Sequence, residues 1–399
     1  MHFLCLAHKS WRARGIVARV PRILALASAI IFVDALLFTA LTPLVPVLSD
    51  DYGLSKTGAG LLVCAYGAGA LLGGIPGGLA AARFGPKREV VGALALLAIA
   101  SFAFAASDSA VALGLARFVQ GISSTATWAG ALTWISTTVP RERRGEAIGT
   151  AFGVAVFGAV LGPVFGGVAE LAGIAVSFTT VGFVTVGFAA LAALGPGTRP
   201  EAASLDGLKR AFGDERFVGG LWLSMLPAIA FGLLGVLAPL ALDEAGWGTA
   251  AIAALFFSAG LIEVVLNPFL GRFSDRAGRL LPIRIGLVAS TAVALAFAAT
   301  GGALFALLVC IGTAAFGSLY TPGTSLTSHR AEVAGLAQGV AFGVMNTAWA
   351  FGEVIGPSAG GALADSSSDA VPYVVVACLC GLTFAATYRV QGRVRPRAA

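Results

Sequence analysis

The sequence predicts an all-α membrane protein of twelve transmembrane helices, arranged as two pseudo-symmetric six-helix halves. Three observations carry that prediction: apolar runs of bilayer length along the chain, basic residues confined to alternate loops, and an internal repeat. Of 399 residues, 57% are hydrophobic before the 53 glycines are counted, and 12% are charged. Soluble domains are about 45–50% apolar with glycine included, and about 25% charged. With a mean hydropathy of +0.89, lipid is the expected main solvent, and nothing supports a soluble catalytic domain.

Crossing a bilayer as a helix takes roughly 20 apolar residues. Residues 1–22 hold basic Lys9, Arg12, Arg14, Arg19 and Arg22, with no short apolar core and cleavage site. They read as a cytoplasmic leader and not as a removed signal peptide. A first half of six spans then occupies 23–194, with runs at 23–48, 58–81, 88–107, 109–138, 145–169 and 173–194. The longest polar stretch, 195–216, is a cytoplasmic linker in which Leu205, Leu208 and Phe212 line one side of a short surface helix. A second half fills 217–390, with runs at 217–242, 249–273, 280–300, 302–327, 335–364 and 371–388, followed by a tail at 391–399. The cysteines Cys64, Cys310, Cys378 and Cys380 fall in spans without histidine neighbours and are expected to be small buried thiols. No metal or cofactor is implied.

The net charge of +6 suggests nucleic acid only until its distribution is read. Every Lys and Arg except Lys56 and Arg117 falls in one alternate set of segments. The opposite set holds Lys56 with Asp50, Asp51, Asp108, Asp243, Glu244, Asp365 and Asp369. By the positive-inside rule both termini are cytoplasmic and the span count is even, as for a multi-pass protein of the cell membrane.

The repeat makes the halves explicit. GTAFGVAVFGAVLGPVFGG at 149–167 returns as GVMNTAWAFGEVIGPSAGG at 343–361, with five glycines and a proline at the same spacing. GLAAARFGPKR and GRFSDRAGR place Gly78, Arg83 and Gly85 against Gly271, Arg276 and Gly278. Parallel halves of this kind are expected of a rocking transporter with its site between them. Within the glycine stretches, Gly158, Gly162 and Gly166, and again Gly352, Gly356 and Gly360, form flat helix faces. Such faces let backbones approach closely where no water drives association. Pro163 and Pro357 each remove one helical hydrogen bond and favour a bend.

On these residues the chain resembles the major facilitator superfamily, over essentially its whole length. GLAAARFGPKR is similar to the superfamily's loop signature, and RFVQG (Arg117, Gln120, Gly121) to its Arg-x-x-Gln-Gly motif. The glycine–proline stretches resemble the fifth-helix antiporter motif, which implies export by proton exchange. FVDALLFTALTPLVPVL, with Asp34, Pro43 and Pro46, resembles the first helix of twelve-span drug:proton antiporters and vesicular amine transporters. Ala82 stands where the loop signature has Asp, while Asp275 is retained in the second half. In the family that acid helps latch the cytoplasmic side, so the substitution bears on the first-half latch.

Asp34, Arg117, Glu263 and Glu353 lie well inside predicted spans. Each costs on the order of 3 kcal/mol at a helix centre, so such residues are rare and usually functional. Asp34 is the expected proton or cation carrier. Arg117 is a fixed cation that holds either Asp34 or kinked backbone, with a direct substrate role as its alternative. Glu263 reads equally as a proton carrier or as a neutral acid bonded to a neighbouring helix, and Glu353 as a structural or gating group, with a substrate role as its alternative. Together they would leave two negative charges, which suits a lipophilic cation. Trp128, Trp134, Trp222 and Trp349 are candidate aromatic walls, with Asn346 as a polar contact and Trp134 also fitting an interfacial anchor.

The expected activity is proton-coupled efflux of amphipathic, cationic small molecules by a monomer, with substrate, protons and lipid as its partners. Two alternatives stand beside it: a symporter or sugar/metabolite permease, and a non-transporting receptor or scaffold. The chain lacks a GxxxxGK[ST] loop for ATP. His2, His8 and His329 lie outside the spans, so no enzyme is expected.

Overall fold

The computed structural model describes residues 2–140, 143–197, 207–278, 280–336 and 338–394. The first half comprises α1 (His2–Ala40), α2 (Val45–Tyr52), α3 (Lys56–Phe84), α4 (Pro86–Ala105), α5 (Ala110–Thr138), α6 (Arg144–Ala172) and α7 (Ile174–Leu194). A short α8 (Leu208–Phe212) precedes the second half. That half holds α9 (Glu215–Glu244), α10 (Thr249–Ala277), α11 (Leu280–Ala299), α12 (Gly302–Gly317), α13 (Tyr320–Val333), α14 (Gln338–Ser366) and α15 (Ala370–Val394). Among the described residues ten spans are long and apolar enough to cross a membrane. The helices α5 and α14 complete the twelve. They carry Arg117, Gln120, Asn346 and Glu353, polar candidates that make these two crossings less apolar.

Two crossings are broken, and prolines mark both breaks. Between α1 and α2 the chain makes a 3-10 turn at Thr42–Leu44, beside Pro43 and Pro46. Pro322 stands in the first turn of α13, just after the break at Ser318 and Leu319. A proline offers no N–H to the carbonyl four residues earlier, so each break leaves orphan backbone acceptors. The loop glycines of the repeat have a backbone reason as well. Gly85 ends α3 at φ 88° and Gly278 ends α10 at φ 76°, a region costly for residues with a Cβ.

Glycines set the helix spacing inside each half. A Cβ at Gly158 would strike the Phe32 carbonyl oxygen, and one at Gly162 would lie 2.5 Å from that of Leu36, pressing α6 on α1. In the second half Gly352 meets the Met225 carbonyl and Gly356 that of Ile229, pressing α14 on α9. The two packings are the same contact repeated. Pro163 and Pro357 lie inside these continuous helices.

Across the halves the packing is graded. Call the end that carries the α3–α4 loop and the 195–216 segment proximal, and the opposite end distal. Between α3 and α14, a Cβ at Gly60 would land on the Pro357 carbonyl; at Gly67 it would be 2.9 Å from Glu353 Cβ. At Gly74 the nearest atom is Thr347 Oγ1 at 3.9 Å, and at Gly78 nothing lies within 4 Å. Between α6 and α10, Gly167 and Gly260 make contacts of 3.0 and 3.1 Å, while Gly149 and Gly153 meet nothing. Both seams are shut distally and splay apart proximally.

Several expectations are corrected. Trp134 is fully buried and donates to the Pro196 carbonyl at 3.2 Å, so it anchors the linker's start and not the interface. Trp222 donates to Thr383 Oγ1 at 2.9 Å, inside the second half. Leu208 of α8 packs on a protein cluster with Phe217, Leu221 and Leu336, because Gly207 abuts the Ala334 carbonyl. Leu205 lies outside the described residues. Cys378 is exposed, whereas Cys64 and Cys380 are buried.

Candidate functional site

The centre of the first half is a polar face on α5. Arg117, Gln120, Ser124 and Trp128 follow at steps of three and four, which puts them on one side of a helix. That side faces α1. Asp34 is 2% exposed. Its Oδ2 accepts from Ser124 Oγ at 2.7 Å and from Trp128 Nε1 at 2.8 Å, and its Oδ1 accepts from Tyr66 Oη at 3.3 Å. The two oxygens are therefore unequal. An indole N–H can only donate, so Oδ2 must remain an acceptor in every protonation state. The Tyr66 hydroxyl can donate or accept, and its bond is long. A proton on the carboxyl belongs on Oδ1.

Arg117 is 1% exposed and has a different task. Its terminal nitrogens donate to the carbonyls of Leu37 and Phe38 at 3.1 and 3.2 Å, and to Gln120 Oε1 at 3.1 Å. Those carbonyls belong to the last turn of α1, where no helical N–H follows. The arginine thus caps the break, taking the backbone option that the sequence left open beside Asp34. Its guanidinium also lies 4.6 Å from the Tyr66 ring centroid, so Tyr66 stands between base and acid.

An aromatic belt crosses the cleft. Phe38 packs on Tyr66 at 5.3 Å and on Trp349 of α14 at 5.1 Å. Trp128 packs on Phe152, which meets Phe342 of α14 at 6.1 Å. The remaining candidates lie elsewhere. Glu353, 6% exposed, is wedged between Gly67 of α3 and Gly232 of α9, on the seam between halves. At the matching point of the repeat stands Ala159, so the helix packing itself does not require an acid there. Glu263 abuts Gly317 at the α12–α13 break. Asn346 is exposed. Arg83 stacks at 5.5 Å from the Phe84 ring. The side chains of Ala82, Gly271 and Asp275 lie outside the described residues.

Sequence reasoning passed over three groups. Tyr66 and Ser124 are ordinary residues until folding brings them to Asp34, although Ser124 shares the Arg117–Trp128 periodicity. Glu89, at the proximal end of α4, is 6% exposed with neither carboxylate oxygen hydrogen-bonded among the described residues. It stands in the first turn of α4, where nothing in the sequence marks it as buried.

Two helical halves shut against each other at one end, with a buried acid inside the first, have the architecture of a membrane transporter. The match to known proteins makes the class specific. The family model described as Major Facilitator Superfamily matches residues 27–346, and the chain belongs to that superfamily. It is 25% identical over 336 residues to multidrug resistance protein 1 of Bacillus subtilis (strain 168), covering 81% of this chain and 85% of that one. Multidrug resistance protein 2 of the same organism is 25% identical over 353 residues, covering 84% and 87%. A bacterial homologue of the human lysosomal transporter Spinster, solved inward-facing and unoccupied, superposes with a TM-score of 0.73 at 16% identity, over 87% of this chain and 83% of that one. The protein is a multi-pass membrane transporter and not an enzyme.

Proposed function

We propose that the protein exports amphipathic cationic small molecules across the cell membrane in exchange for protons, with Asp34 as the coupling acid. The observation that carries this reading is the unequal pair of oxygens on Asp34. Oδ2 is committed to Trp128 and Ser124, while Oδ1 is held only by a long, reversible bond to Tyr66. A proton and a substrate ammonium would compete for that same oxygen, and competition at one site is what exchange requires. The cationic class is supported by the acid together with the Phe38–Tyr66–Trp349 wall. The similarity to two proteins named for multidrug resistance supports small-molecule export.

The basic loops assign the proximal end to the cytoplasm. On that assignment the splayed seams correspond to an inward-facing state, in which Asp34 collects substrate from inside. Opening the distal end then exposes it to external protons. Arg117 keeps the broken end of α1 in place throughout, so that Asp34 alone changes charge. The test is proton flux in inverted vesicles, with a panel of lipophilic cations, neutral drugs and sugars. Cation-dependent proton release from the vesicle lumen is expected. Flux that follows sugars, or binding without flux, would overturn the proposal.

A further inference from the structure

The distal mouth is strongly acidic. Lys56, the single base of the distal loops in the sequence, pairs across the halves with Asp369 at 2.7 Å and with Glu244 at 3.6 Å. Beside it, Asp365 accepts from the N–H groups of Lys56 and Thr57 at 3.2 and 2.7 Å. Asp243 lies within electrostatic reach of Asp50 and Glu244. The mouth thus carries five carboxylates and one ammonium, and the ammonium pairs with two of them. Such a mouth raises the local concentration of cations.

Against this mouth lies a concavity of about 150 Å³, formed by α9, the α11–α12 corner and the start of α15. Its walls include Leu237, Leu242, Phe297 and Phe305, and its polar groups include Asp369 and Tyr373. Phe297 packs at 5.1 Å on both Phe305 and Tyr373. Tyr373 is 4% exposed, yet its hydroxyl has no hydrogen-bond partner among the described residues. The same hydroxyl is within electrostatic reach of the Asp369 carboxylate. A buried hydroxyl left unpaired is costly, and it marks where a polar partner belongs.

We propose that this concavity binds a small ammonium compound, with its charged head on Asp369, a hydrogen bond to the Tyr373 oxygen, and its apolar body between the aromatic and leucine walls. The site is separate from Asp34 and lies wholly within the second half. Because the head shares Asp369 with Lys56, occupancy weakens a pair that holds the halves together. External ammonium compounds thus favour distal opening.

The test uses the purified full-length chain with Asp34→Asn, so that binding at the central acid does not contribute. Calorimetry with propylammonium should give saturable binding, and the uncharged counterpart 1-propanol should give none. Tyr373→Phe keeps the ring packing and should weaken propylammonium about tenfold or more, the effect of losing a charge-assisted hydrogen bond. Asp369→Asn, at a partly exposed position, should weaken it at least as much. Unchanged affinity in either variant, equal binding of 1-propanol, or no saturable binding would overturn the site and leave the concavity to water. Loss of proton-coupled export by Asp34→Asn is independent of all these outcomes.

Discussion

Replacing Asp34 in two ways separates its chemistry from its structural part. In Asp34→Asn the amide oxygen can take the place of Oδ2 and accept from Trp128 and Ser124, while the amide nitrogen faces the Tyr66 oxygen. All three present hydrogen bonds keep a partner. The loss of charge-assisted strength is offset by no longer burying a carboxylate, so the stability change should stay below about 1 kcal/mol. In Asp34→Ala the Trp128 N–H has nothing to donate to, which alone costs about 1–3 kcal/mol, and a small cavity adds to it. Thermal unfolding in detergent should therefore separate Ala from Asn, with Asn close to wild type. Proton-driven export in inverted vesicles should be lost in both, because neither side chain can exchange a proton. If Asp34→Asn still accumulates cations against a gradient, Asp34 is not the coupling acid. If it unfolds as readily as Asp34→Ala, the assigned geometry of the two oxygens is wrong.

Other expectations follow from the same contacts. Gly162→Leu and Gly356→Leu drive a side chain into a neighbouring carbonyl, so transport should fall sharply with the protein still inserted; full activity in both would refute the close packing of α6 on α1 and of α14 on α9. Asp365→Asn should shift spin-label distances across the distal mouth toward an open state, and unchanged distances would show that this acid does not hold the halves. Burial pushes the Asp365 carboxyl up, but hydrogen bonds from Thr57 and from the Lys56 N–H outweigh it and hold the group below its ordinary value. Its contribution to closure is therefore fully present above the ordinary carboxylate range and is lost only as pH falls through the lowered value, so distal distances should not change between pH 8 and 6. Labels at Lys209 and Asp243 should react from opposite sides of the membrane; reaction from the same side would sink the twelve-span topology. Arg117→Ala should impair export less than additively with Asp34→Asn, because Tyr66 contacts both residues.

Span number, the two-half plan and the family were legible in the chain itself. Bilayer length, charge alternation and a repeat at constant spacing are one-dimensional signals that survive without contacts. Asp34 and Arg117 were legible because lipid makes any buried charge expensive. Their partners were not. The sequence left Arg117 a choice between the acid and the broken helix, and only the positions of the Leu37 and Phe38 carbonyls decided it. Trp134 looked like an interfacial anchor by its place near a helix end, until packing buried it under Pro196. Glu353 shares its motif with five glycines and a proline, and its position on the seam between the halves depends on how α14 faces α3.

The sequence by itself therefore determined which segments cross the membrane and which half repeats which, because hydropathy and repeat spacing depend only on order along the chain. The tertiary structure alone decided the pairing of Lys56 with Asp369, the unequal oxygens of Asp34, and the end at which the halves are shut. Each of these depends on the rotation of a helix about its axis and on contacts between residues tens to hundreds of positions apart, which no local pattern specifies.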